Sequence, residues 1–454
     1  MVITLAKDTF TTPRGREQME TKLARIAEIA KERSDESFTS LCHYLNAEMF
    51  IKCHSELQVN KAVGVDRVTK ETYAENLEEN INGLVERLKR HSYKPLPVRR
   101  VYIPKGDGKE KRPLGIPAYE DKIVQMAIKK VLEPIYEADF LNCSYGFRPN
   151  RSMHDALKAL NRIVERGRIS YVVDADIKGF FNHVVHDWMM QFLGQRIADP
   201  NMKRIINRFL IGGVMEDGRF VRTEEGTPQG AVLSPLLANI YLHYSLDLWF
   251  EKVVKNHCKG QAELIRFADD FICCFQYKGE AEKFYTALIK RLDKFGLQIA
   301  EDKTKILPFG RFAEDQAKKR GQGKPGTFNF LGFTHYCSRG RIDNFRVKLK
   351  TSTKKFRMKV KQFKTWLNRK KHHEVKDIRQ LMKEITVKLV GYYRYYGITD
   401  NIHMLGQYKR QITCFLFRWL KRRSQRGCLV ERFQRLLKRY PLPEPRIYVN
   451  IYGR

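Results

Sequence analysis

The sequence lacks several features that would assign it to common classes of protein. Its nine cysteines form no CxxC pair, and no cluster of cysteine and histidine has the spacing of zinc ligands. No apolar run is long enough to span a membrane, and the stretch Met1 to Glu20 has no hydrophobic signal-peptide core. The sequence therefore argues against a zinc finger, a membrane partner and secretion. We expect a reduced, cytoplasmic protein.

Acidic residues are scarce relative to basic ones. The 454 residues include 85 lysines and arginines but only 51 aspartates and glutamates, a formal net charge of +34. Residues 341–454 contain 31 of the basic residues and seven of the acidic ones, so they carry +24 of that charge. A solvated lysine-rich face usually has balancing acids, and here they are missing. The imbalance favours a polyanionic partner, of which nucleic acid is the commonest kind.

The order of apolar and polar residues predicts a mixture of helices and strands. A hydrophobic content of 43% indicates a globular chain. Amphipathic periodicity predicts helices over the first sixty residues, at DKIVQMAIKKVLEPIY and at MHDALKALNRIVER. The runs ISYVVDADI and LIRFADDFICCF indicate buried strands, and SYKPLPVRRVYIPKGDGKEKRPLGIP indicates a hairpin with a basic tip. From about residue 345 the pattern is basic and helical.

Three carboxylates stand where a sheet can direct them at one point. Asp176 ends one predicted strand, and Asp269 and Asp270 lie at the turn of a predicted hairpin. Adjacent aspartates repel one another unless a cation offsets their charge, and Mg²⁺ prefers carboxylate oxygens. Two Mg²⁺ ions held in this way support an in-line displacement at phosphorus. The pattern predicts phosphoryl transfer on a nucleic acid, with Asp174 in a supporting or structural role.

Neither this aspartate pair nor the neighbouring glycine-rich loop is strong evidence alone. Most Asp-Asp pairs lie in solvated turns, although here the flanks LIRFA and FICCF attach the turn to a buried hairpin. In the loop TEEGTPQGAVLSP, Gly226 and Gly230 allow the backbone to approach a ligand closely, and Gln229 offers both a donor and an acceptor. The same residues also suit a simple turn.

Seven motifs follow one another along the chain: IPK…RPLGIP, SYGFRP, VVDADIKGFF, GTPQGAVLSPLLANIYL, FADD, FGLQIAEDKTK and FLGF. In this order the sequence resembles the reverse transcriptases, also called maturases, of bacterial group II introns, over about residues 62–440. The resemblance implies an α+β right-hand polymerase with fingers, a palm containing an antiparallel sheet, and an all-helical thumb or maturase domain. The implied ranges are a helical N-terminal extension at 1–61, fingers at 62–170, palm at 171–340 and thumb with a basic tail at 341–454.

The resemblance also implies roles for single residues. The palm's metal triad, which would hold two Mg²⁺ ions, matches Asp176, Asp269 and Asp270. Lys303 matches a proposed proton donor to the leaving pyrophosphate, and Arg148 would touch the template; a phosphate contact or a surface charge explains either equally well. The implied nucleotide-binding positions are Lys105 and Arg112 on the triphosphate, Phe181 as the barrier to a ribose 2′-hydroxyl, and Gln229 and Gly230 at the nascent base pair. Phe267 stands where Tyr is commoner in the family.

The basic tail matches the family's thumb. Its run GYYRYYG offers aromatic rings and charge to RNA, although at helical spacing half of the tyrosines should face the core. We expect the RNA contacts to come from arginines, namely Arg394, Arg422, Arg423 and Arg426. Contacts of this kind would make binding steeply dependent on salt.

The resemblance implies an RNA-directed DNA polymerase that also binds its intron RNA as a splicing maturase. It would act in retrohoming by target-primed reverse transcription, in the bacterial cytoplasm. The implied partners are the intron RNA, an RNA template, a DNA primer or target, and dNTPs; the oligomeric state stays open. Because no cluster of cysteine pairs and histidines follows the thumb region, we expect a form without the HNH endonuclease, which takes its primer from elsewhere.

Two alternatives to this function remain. The first is an RNA-binding splicing cofactor without useful polymerase activity, against which the three intact aspartates count. The second is a free-standing relative in phage defence, CRISPR adaptation or repair, since such relatives share the palm. An RNA-dependent RNA polymerase is disfavoured because Phe181 would clash with a 2′-hydroxyl. A retron fits less well, since its loop and thumb signatures differ.

Overall fold

The structure is a computed structural model that describes residues 13–104, 111–319, 321, 323–340, 343–370, 377–423 and 430–453. Two predicted site residues, Lys105 and Arg426, lie outside the described residues. Residues 13–19 and Arg423 are described by their backbone. Within the described part of the chain, no helix has both the length and the apolar character needed to cross a bilayer.

The described chain contains both helices and strands, with runs of helices at its two ends. The helices are α1 (Pro13–Glu32), α2 (Ala47–Glu56), α3 (Lys70–Ala74), α4 (Leu77–Lys89), α5 (Tyr119–Asp139), α6 (Met153–Arg166), α7 (His186–Gly194), α8 (Pro200–Ile211), α9 (Ser234–Leu242), α10 (Lys255–His257), α11 (Lys278–Asp293), α12 (Ala313–Lys319), α13 (Thr353–Arg369), α14 (Ile378–Tyr396), α15 (Ile402–Arg423) and α16 (Val430–Arg439). The strands are β1 (Val98–Pro104), β2 (Lys111–Ile116), β3 (Tyr171–Asp176), β4 (Val214–Glu216), β5 (Arg219–Val221), β6 (Ala262–Phe267), β7 (Asp270–Phe275), β8 (Lys305–Pro308), β9 (Thr327–Phe330), β10 (Phe333–Arg339) and β11 (Phe345–Thr351). This mixture, with mostly antiparallel pairing, confirms the predicted α+β class.

The N-terminal helices pack around α5. Both α1 and α2 lie against α5, whose residues Ile123, Ala127 and Val131 are fully buried at helical spacing. Side-chain caps fix the starts of the shorter helices: the Asn46 side-chain oxygen Oδ1 accepts from the Met49 amide at 3.0 Å at the start of α2. The helical prediction for this region is confirmed.

The predicted basic hairpin is present and belongs to a small sheet. Strands β1 and β2 pair antiparallel, and β1 also runs parallel to β4, so that the sheet order is β2-β1-β4-β5. The hairpin tip, at residues 105–110, lies outside the described residues. Arg112 points from β2, opposite Ile103 of β1.

A second sheet forms the centre of the molecule. Its order is β6-β7-β3-β8 and all its pairs are antiparallel. Successive residues of a strand enter the two different hydrophobic cores on its faces: Val173 and Cys273 one core, Val172 and Cys274 the other. Burial on both faces explains why these strands read as continuous apolar runs rather than alternating ones. Cys273 and Cys274 are buried strand residues, as predicted.

The region from residue 341 is not all-helical, so that prediction is wrong at one element. Strand β11 pairs with β10 in a sheet of order β11-β10-β9, which also crosses the predicted domain boundary at 340. In β11, Val347, Leu349 and Thr351 are buried, and basic residues alternate with them. This period of two predicts a strand, but the density of lysine and arginine hides it. Helices α13 to α16 follow, as expected.

Candidate active site

The fold brings the three predicted aspartates to one edge of the central sheet. Asp176 is the last residue of β3, and it lies directly opposite Asp270, the first residue of β7. Asp269 belongs to the two-residue turn that joins β6 to β7. Residues opposed in an antiparallel pair have Cα atoms about 5 Å apart, so the two strand ends place their carboxylates side by side.

The turn that carries Asp269 is held in an unusual backbone conformation. Ala268 has φ of 58°, in the left-handed region that residues other than glycine rarely adopt. The backbone at Gly146 lies against it, since a Cβ added there would come within 2.4 Å of the Ala268 amide nitrogen. The Ala268 carbonyl accepts a hydrogen bond from Arg266 Nη1 at 3.0 Å. Packing and this hydrogen bond therefore hold the turn that presents the aspartates.

Arg266 is the centre of a buried polar network that the sequence analysis missed. Its guanidinium forms two bonds to Asp247, the Nε–Oδ1 distance being 2.7 Å, and both side chains are fully buried. It also donates to Asn239 Oδ1 at 3.0 Å and to Ser144 Oγ at 2.7 Å. Asp247 lies on a π-helical turn, His243–Asp247, a kind of segment that is frequent at functional sites. The signals in the sequence were an arginine inside LIRFA and an aspartate inside SLDLWF.

Burial and mutual repulsion raise the pKa values of the clustered acids. The pKa of Asp270 is raised to about 6, first by loss of hydration and then by Asp269 and Asp176. Loss of hydration also raises the pKa of Asp269, although its own backbone amide and Arg112 lower it. The Asp174 pKa is raised to about 7 by burial and by Asp270 and Asp176. Asp270 is open to solvent but lies in a concave cleft, where surrounding protein reduces its hydration. Nearby cations offset only part of this negative charge, since the pKa values of Asp269 and Asp270 stay raised in spite of Arg112 and Lys355.

A cation already contacts the cluster. The Lys303 ammonium lies 2.9 Å from Asp176 Oδ2. Three residues earlier, the Ala300 amide donates to the Asp176 backbone carbonyl at 2.8 Å, which holds this segment against the end of β3. Among the described residues, no three histidine, cysteine, aspartate or glutamate side chains converge as a ready-made metal site. The donor set nevertheless fits Mg²⁺, because it consists of carboxylates that repel one another and attract a positive group.

The glycine-rich loop joins two of the predicted nucleotide-binding elements. The Thr227 amide donates to the Phe181 carbonyl at 2.8 Å, and the Gly115 amide of β2 donates to the Gln229 carbonyl at 2.7 Å. Gly230 has φ of 106°, so its backbone requires glycine. The buried Gln229 Oε1 has no hydrogen-bond partner among the described residues. The loop thus places Phe181, Gln229 and the strand of Arg112 beside one another.

A cleft of about 650 Å³ leads from Asp270 to the C-terminal helices. It is lined by Lys355 and Lys359 of α13, by Lys388 of α14 and by Tyr395. Lys355 is close enough to Asp270 to lower the pKa of that carboxyl, against the larger effect of burial. The sequence pattern does not distinguish these lysines, because the tail contains many others and only the fold shows which ones face the cleft.

Arg148 is buried and bonded within the protein, which argues against the predicted template contact. The residue is 7% exposed and forms a bidentate pair with Glu137, with Nε–Oε1 at 3.0 Å and Nη2–Oε2 at 2.9 Å. Nη1 donates to the carbonyls of Leu141 and Ser144 at 2.8 and 2.9 Å. With these partners the guanidinium closes the turn of SYGFRP. The sequence of a turn motif does not show whether its arginine faces solvent or bonds to the backbone of the turn.

The tail residues divide between the core and the surface. Tyr392, Tyr393 and Tyr396 are buried, so the expectation that half of the tyrosines face the core is met and exceeded. Arg394 and Arg422 are exposed, as an RNA contact requires. Their predicted role stays a prediction.

Comparison with known proteins supplies the family. Residues 103–335, just over half of the chain, match the family model described as reverse transcriptase (RNA-dependent DNA polymerase). The chain belongs to the reverse transcriptase family. Both strands that carry the aspartates, β3 and the β6–β7 hairpin, lie inside the matched range.

Individual relatives narrow the resemblance. The chain is 41% identical over 222 residues to the group II intron-encoded protein LtrA of Lactococcus lactis, covering 49% of this chain and 37% of that protein. It is 42% identical over 183 residues to protein YkfC of Escherichia coli, covering 40% and 48%. It is 34% identical over 209 residues to a 91 kDa protein in the cob intron of Schizosaccharomyces pombe, covering 46% and 25%. The matches span less than half of the length of each of these relatives. The identity to an intron-encoded protein confirms the predicted relationship to group II intron-encoded proteins.

Proposed function

We propose that the chain is an RNA-directed DNA polymerase that extends a DNA primer on an RNA template. The observation that carries the proposal is the opposition of Asp176 and Asp270 at the end of the central sheet, with Asp269 on the adjoining turn, in a member of the reverse transcriptase family. Acids that repel one another at the base of a basic cleft suit a reaction in which cations and phosphates are bound together.

In the proposed site, the three carboxylates and the basic residues around them have different roles. Asp176, Asp269 and Asp270 would hold two Mg²⁺ ions, which supply activation of the primer 3′-hydroxyl and charge stabilisation at phosphorus. Arg112 lowers the pKa of Asp269 electrostatically, so it is close enough to act on a triphosphate bound there, together with Lys105. Lys303 is 2.9 Å from Asp176 and would shift to the pyrophosphate as its proton donor.

The loop around Gln229 would shape the nucleotide pocket. Phe181 follows Asp176 by five residues, and its backbone carbonyl accepts from the Thr227 amide, so its backbone is held against the loop. Its ring would exclude a ribose 2′-hydroxyl. Gln229 and Gly230 would lie against the nascent base pair. The unpartnered Gln229 Oε1 supports a ligand contact, because buried polar atoms are seldom left without a partner.

We also propose that the chain binds a group II intron RNA as a maturase and takes part in retrohoming in the bacterial cytoplasm. Residues 62–170 would form the fingers, 171–340 the palm and 341–454 the thumb, the last of these including strand β11. The relationship to an intron-encoded protein and the +24 charge of residues 341–454 support this role. Exposed Arg394 and Arg422 would contribute to RNA binding.

Primer extension tests the proposal. The full chain is incubated with an RNA template, a labelled DNA primer, Mg²⁺ and dNTPs, beside the Asp269→Ala/Asp270→Ala variant. Synthesis by the wild type alone is the expected result. No synthesis by a wild-type protein that still binds the RNA tightly would contradict the polymerase and favour a splicing cofactor.

A further inference from the structure

Helix α6 carries a row of basic residues on its outer face. Lys158, Arg162 and Arg166 follow one another at intervals of four, which places them about 6 Å apart along one side of the helix. Arg162 and Arg166 are exposed and Lys158 is partly exposed. None of the ion pairs formed among the described residues involves these three side chains.

The acids nearest to this row are already engaged elsewhere. Asp155 forms the capping box of α6, accepting from the Ser152 amide at 3.0 Å and from its hydroxyl at 2.7 Å. Glu165 pairs with Arg346 at 3.0 Å and accepts from the Val347 amide at 2.8 Å. Lys158 also acts electrostatically on Asp155, so Arg162 and Arg166 carry the positive charge that is available to a partner from outside.

The row lies among three adjoining open clefts. They measure about 1150, 420 and 620 Å³, and Arg166 lines all three. Arg311 and Lys324 line the largest, Lys158 and Arg162 the next along α6, and Arg168 and Lys259 the last. Together the clefts form one long groove, which we call the α6 groove. Its basic residues outnumber its acidic ones, which are Asp155, Glu165, Glu314 and Asp343.

The α6 groove is separate from the catalytic edge. Helix α6 leads into the start of β3, whereas Asp176 is at the end of that strand, five residue steps or about 16 Å from Tyr171. Gln276, which lines the same end of the groove, follows the last residue of β7, while Asp270 is the first. The two strands therefore have acids at one end and the basic groove at the other.

We propose that the α6 groove binds the phosphate backbone of the intron RNA while the cleft at Asp270 holds a primer and template. The inference rests on the proposed function, which requires one protein to hold two nucleic acids. Unpaired arginines in a groove are suited to phosphate oxygens. Two tyrosines line the cleft that contains Lys158 and Arg162, and an arginine lies over one face of each ring: Arg151 is 5.4 Å from the centre of the Tyr145 ring, and Arg346 is 4.6 Å from the centre of the Tyr452 ring. That face of each ring is not open to a stacked base, which favours contacts to the RNA backbone over contacts to its bases.

A binding experiment with the catalytic cleft filled tests the α6 groove. The full chain is saturated with an unlabelled primer–template whose primer ends in a dideoxynucleotide, and a fluorescent RNA hairpin is then titrated at several salt concentrations. The test variant is Arg162→Gln/Arg166→Gln. The matched control is Lys290→Gln/Lys294→Gln, which removes two exposed charges at the same spacing at the end of α11.

The test variant should bind the hairpin at least about 10-fold more weakly than the control near 0.1 M salt. The slope of log affinity against log salt should fall by about 1.4 to 1.8, since each of the two lost phosphate contacts contributes about 0.7 to 0.9. Equal affinity and slope in the two variants would overturn the proposal. A DNA hairpin of the same sequence that binds as tightly as the RNA would overturn the assignment to RNA.

Primer extension in the same preparations separates this inference from the proposed function. Both variants should extend a primer at the wild-type rate, because neither pair of residues touches the catalytic edge. Normal extension with unchanged hairpin binding would refute the groove and leave the polymerase standing. A wild type that cannot extend a primer would refute the polymerase, whatever the hairpin does.

Discussion

Two clusters of charge lie within a few residues of each other on strands β6 and β7, and the protein treats them in opposite ways. Around Arg266, every charge has a buried partner: Asp247 is bidentate, and Asn239, Ser144 and the Ala268 carbonyl take the remaining bonds. Around Asp269 and Asp270, like charges face one another and the pKa values are raised. The compensated cluster holds the backbone in place, and the uncompensated one is where the proposed function requires bound cations.

This difference gives a physical criterion for a site. Compensated buried charge is structural, because removing either partner leaves a charge without solvation. Uncompensated carboxylates lower the free energy of unfolding, and a loss of stability of this kind is expected where function needs the charge. The same criterion separates Arg148, whose guanidinium is used up by Glu137 and two carbonyls, from Arg394, which is exposed.

The largest effect is expected from the uncompensated cluster. Asp269→Asn should lower the rate of primer extension by at least about 10³-fold, since it removes a charge from the reacting centre. Hairpin RNA binding should stay at the wild-type level. Asp293→Asn, an exposed carboxyl at the end of α11, is the matched control. Equal loss of synthesis and RNA binding in Asp269→Asn would contradict the separation of the two activities.

The compensated cluster should show a large effect on stability instead. Asp247→Asn leaves the Arg266 charge buried without its partner, and we expect the free energy of unfolding to fall by about 3–5 kcal/mol. Urea denaturation measures this difference. The double change Asp247→Leu/Arg266→Met should be less destabilising than the single one, because no charge is left unpaired. A single variant as stable as the wild type would refute the structural role of the pair.

Lys303 is a cation in contact with the uncompensated cluster, through Asp176. Lys303→Ala should slow primer extension by about 10²-fold, the usual contribution of one proton donor. Single-turnover kinetics with a pre-bound primer–template measure this rate. Lys305→Ala is the control, because Lys305 lies on β8 opposite Asp174 and not at Asp176. An unchanged rate over the whole pH range would remove Lys303 from the chemistry.

The smallest effect is a gain in stability from removing an acid. The folded pKa of Asp270 is raised from 3.8 to about 6, so ionisation above that pH destabilises the folded state. Asp270→Asn should therefore be more stable than the wild type at about pH 8 without metal, by on the order of 1 kcal/mol after allowance for solvent screening. The gain should shrink as the pH falls through about 6 and vanish below about pH 3, where the wild-type carboxyl is protonated in both the folded and the unfolded state. A variant less stable than the wild type at about pH 8 would mean that the carboxylate is compensated after all.

The sequence predicted the acidic end of the central sheet but not the network that supports it. Asp176, Asp269 and Asp270 stand next to apolar runs, so their place at strand ends follows from local pattern. Arg266 and Asp247 are 19 residues apart and meet only because a helix packs on the hairpin. A pairing of this kind depends on tertiary contact, which a local pattern does not contain.

The predictions for basic residues show the same limit. Arg148 and Arg394 are both arginines in motifs with aromatic neighbours, yet the fold buries one and exposes the other. Strand β11 was read as part of a helical tail, because its period of two is made of valine, leucine and threonine alternating with basic side chains. Charge predicts a polyanionic partner for the chain as a whole, and only the packing shows which charges remain free for it.

The most direct test of the account counts the cations at the carboxylate cluster. Mn²⁺ is titrated calorimetrically into the full chain in complex with a dideoxy-terminated primer–template and the next dNTP. The wild type should bind two more ions per chain than the Asp176→Asn/Asp269→Asn variant. The variant keeps the Asp247–Arg266 network, so the difference reports on the carboxylates alone. Equal ion binding by the two proteins would contradict the claim that the uncompensated acids are the metal site.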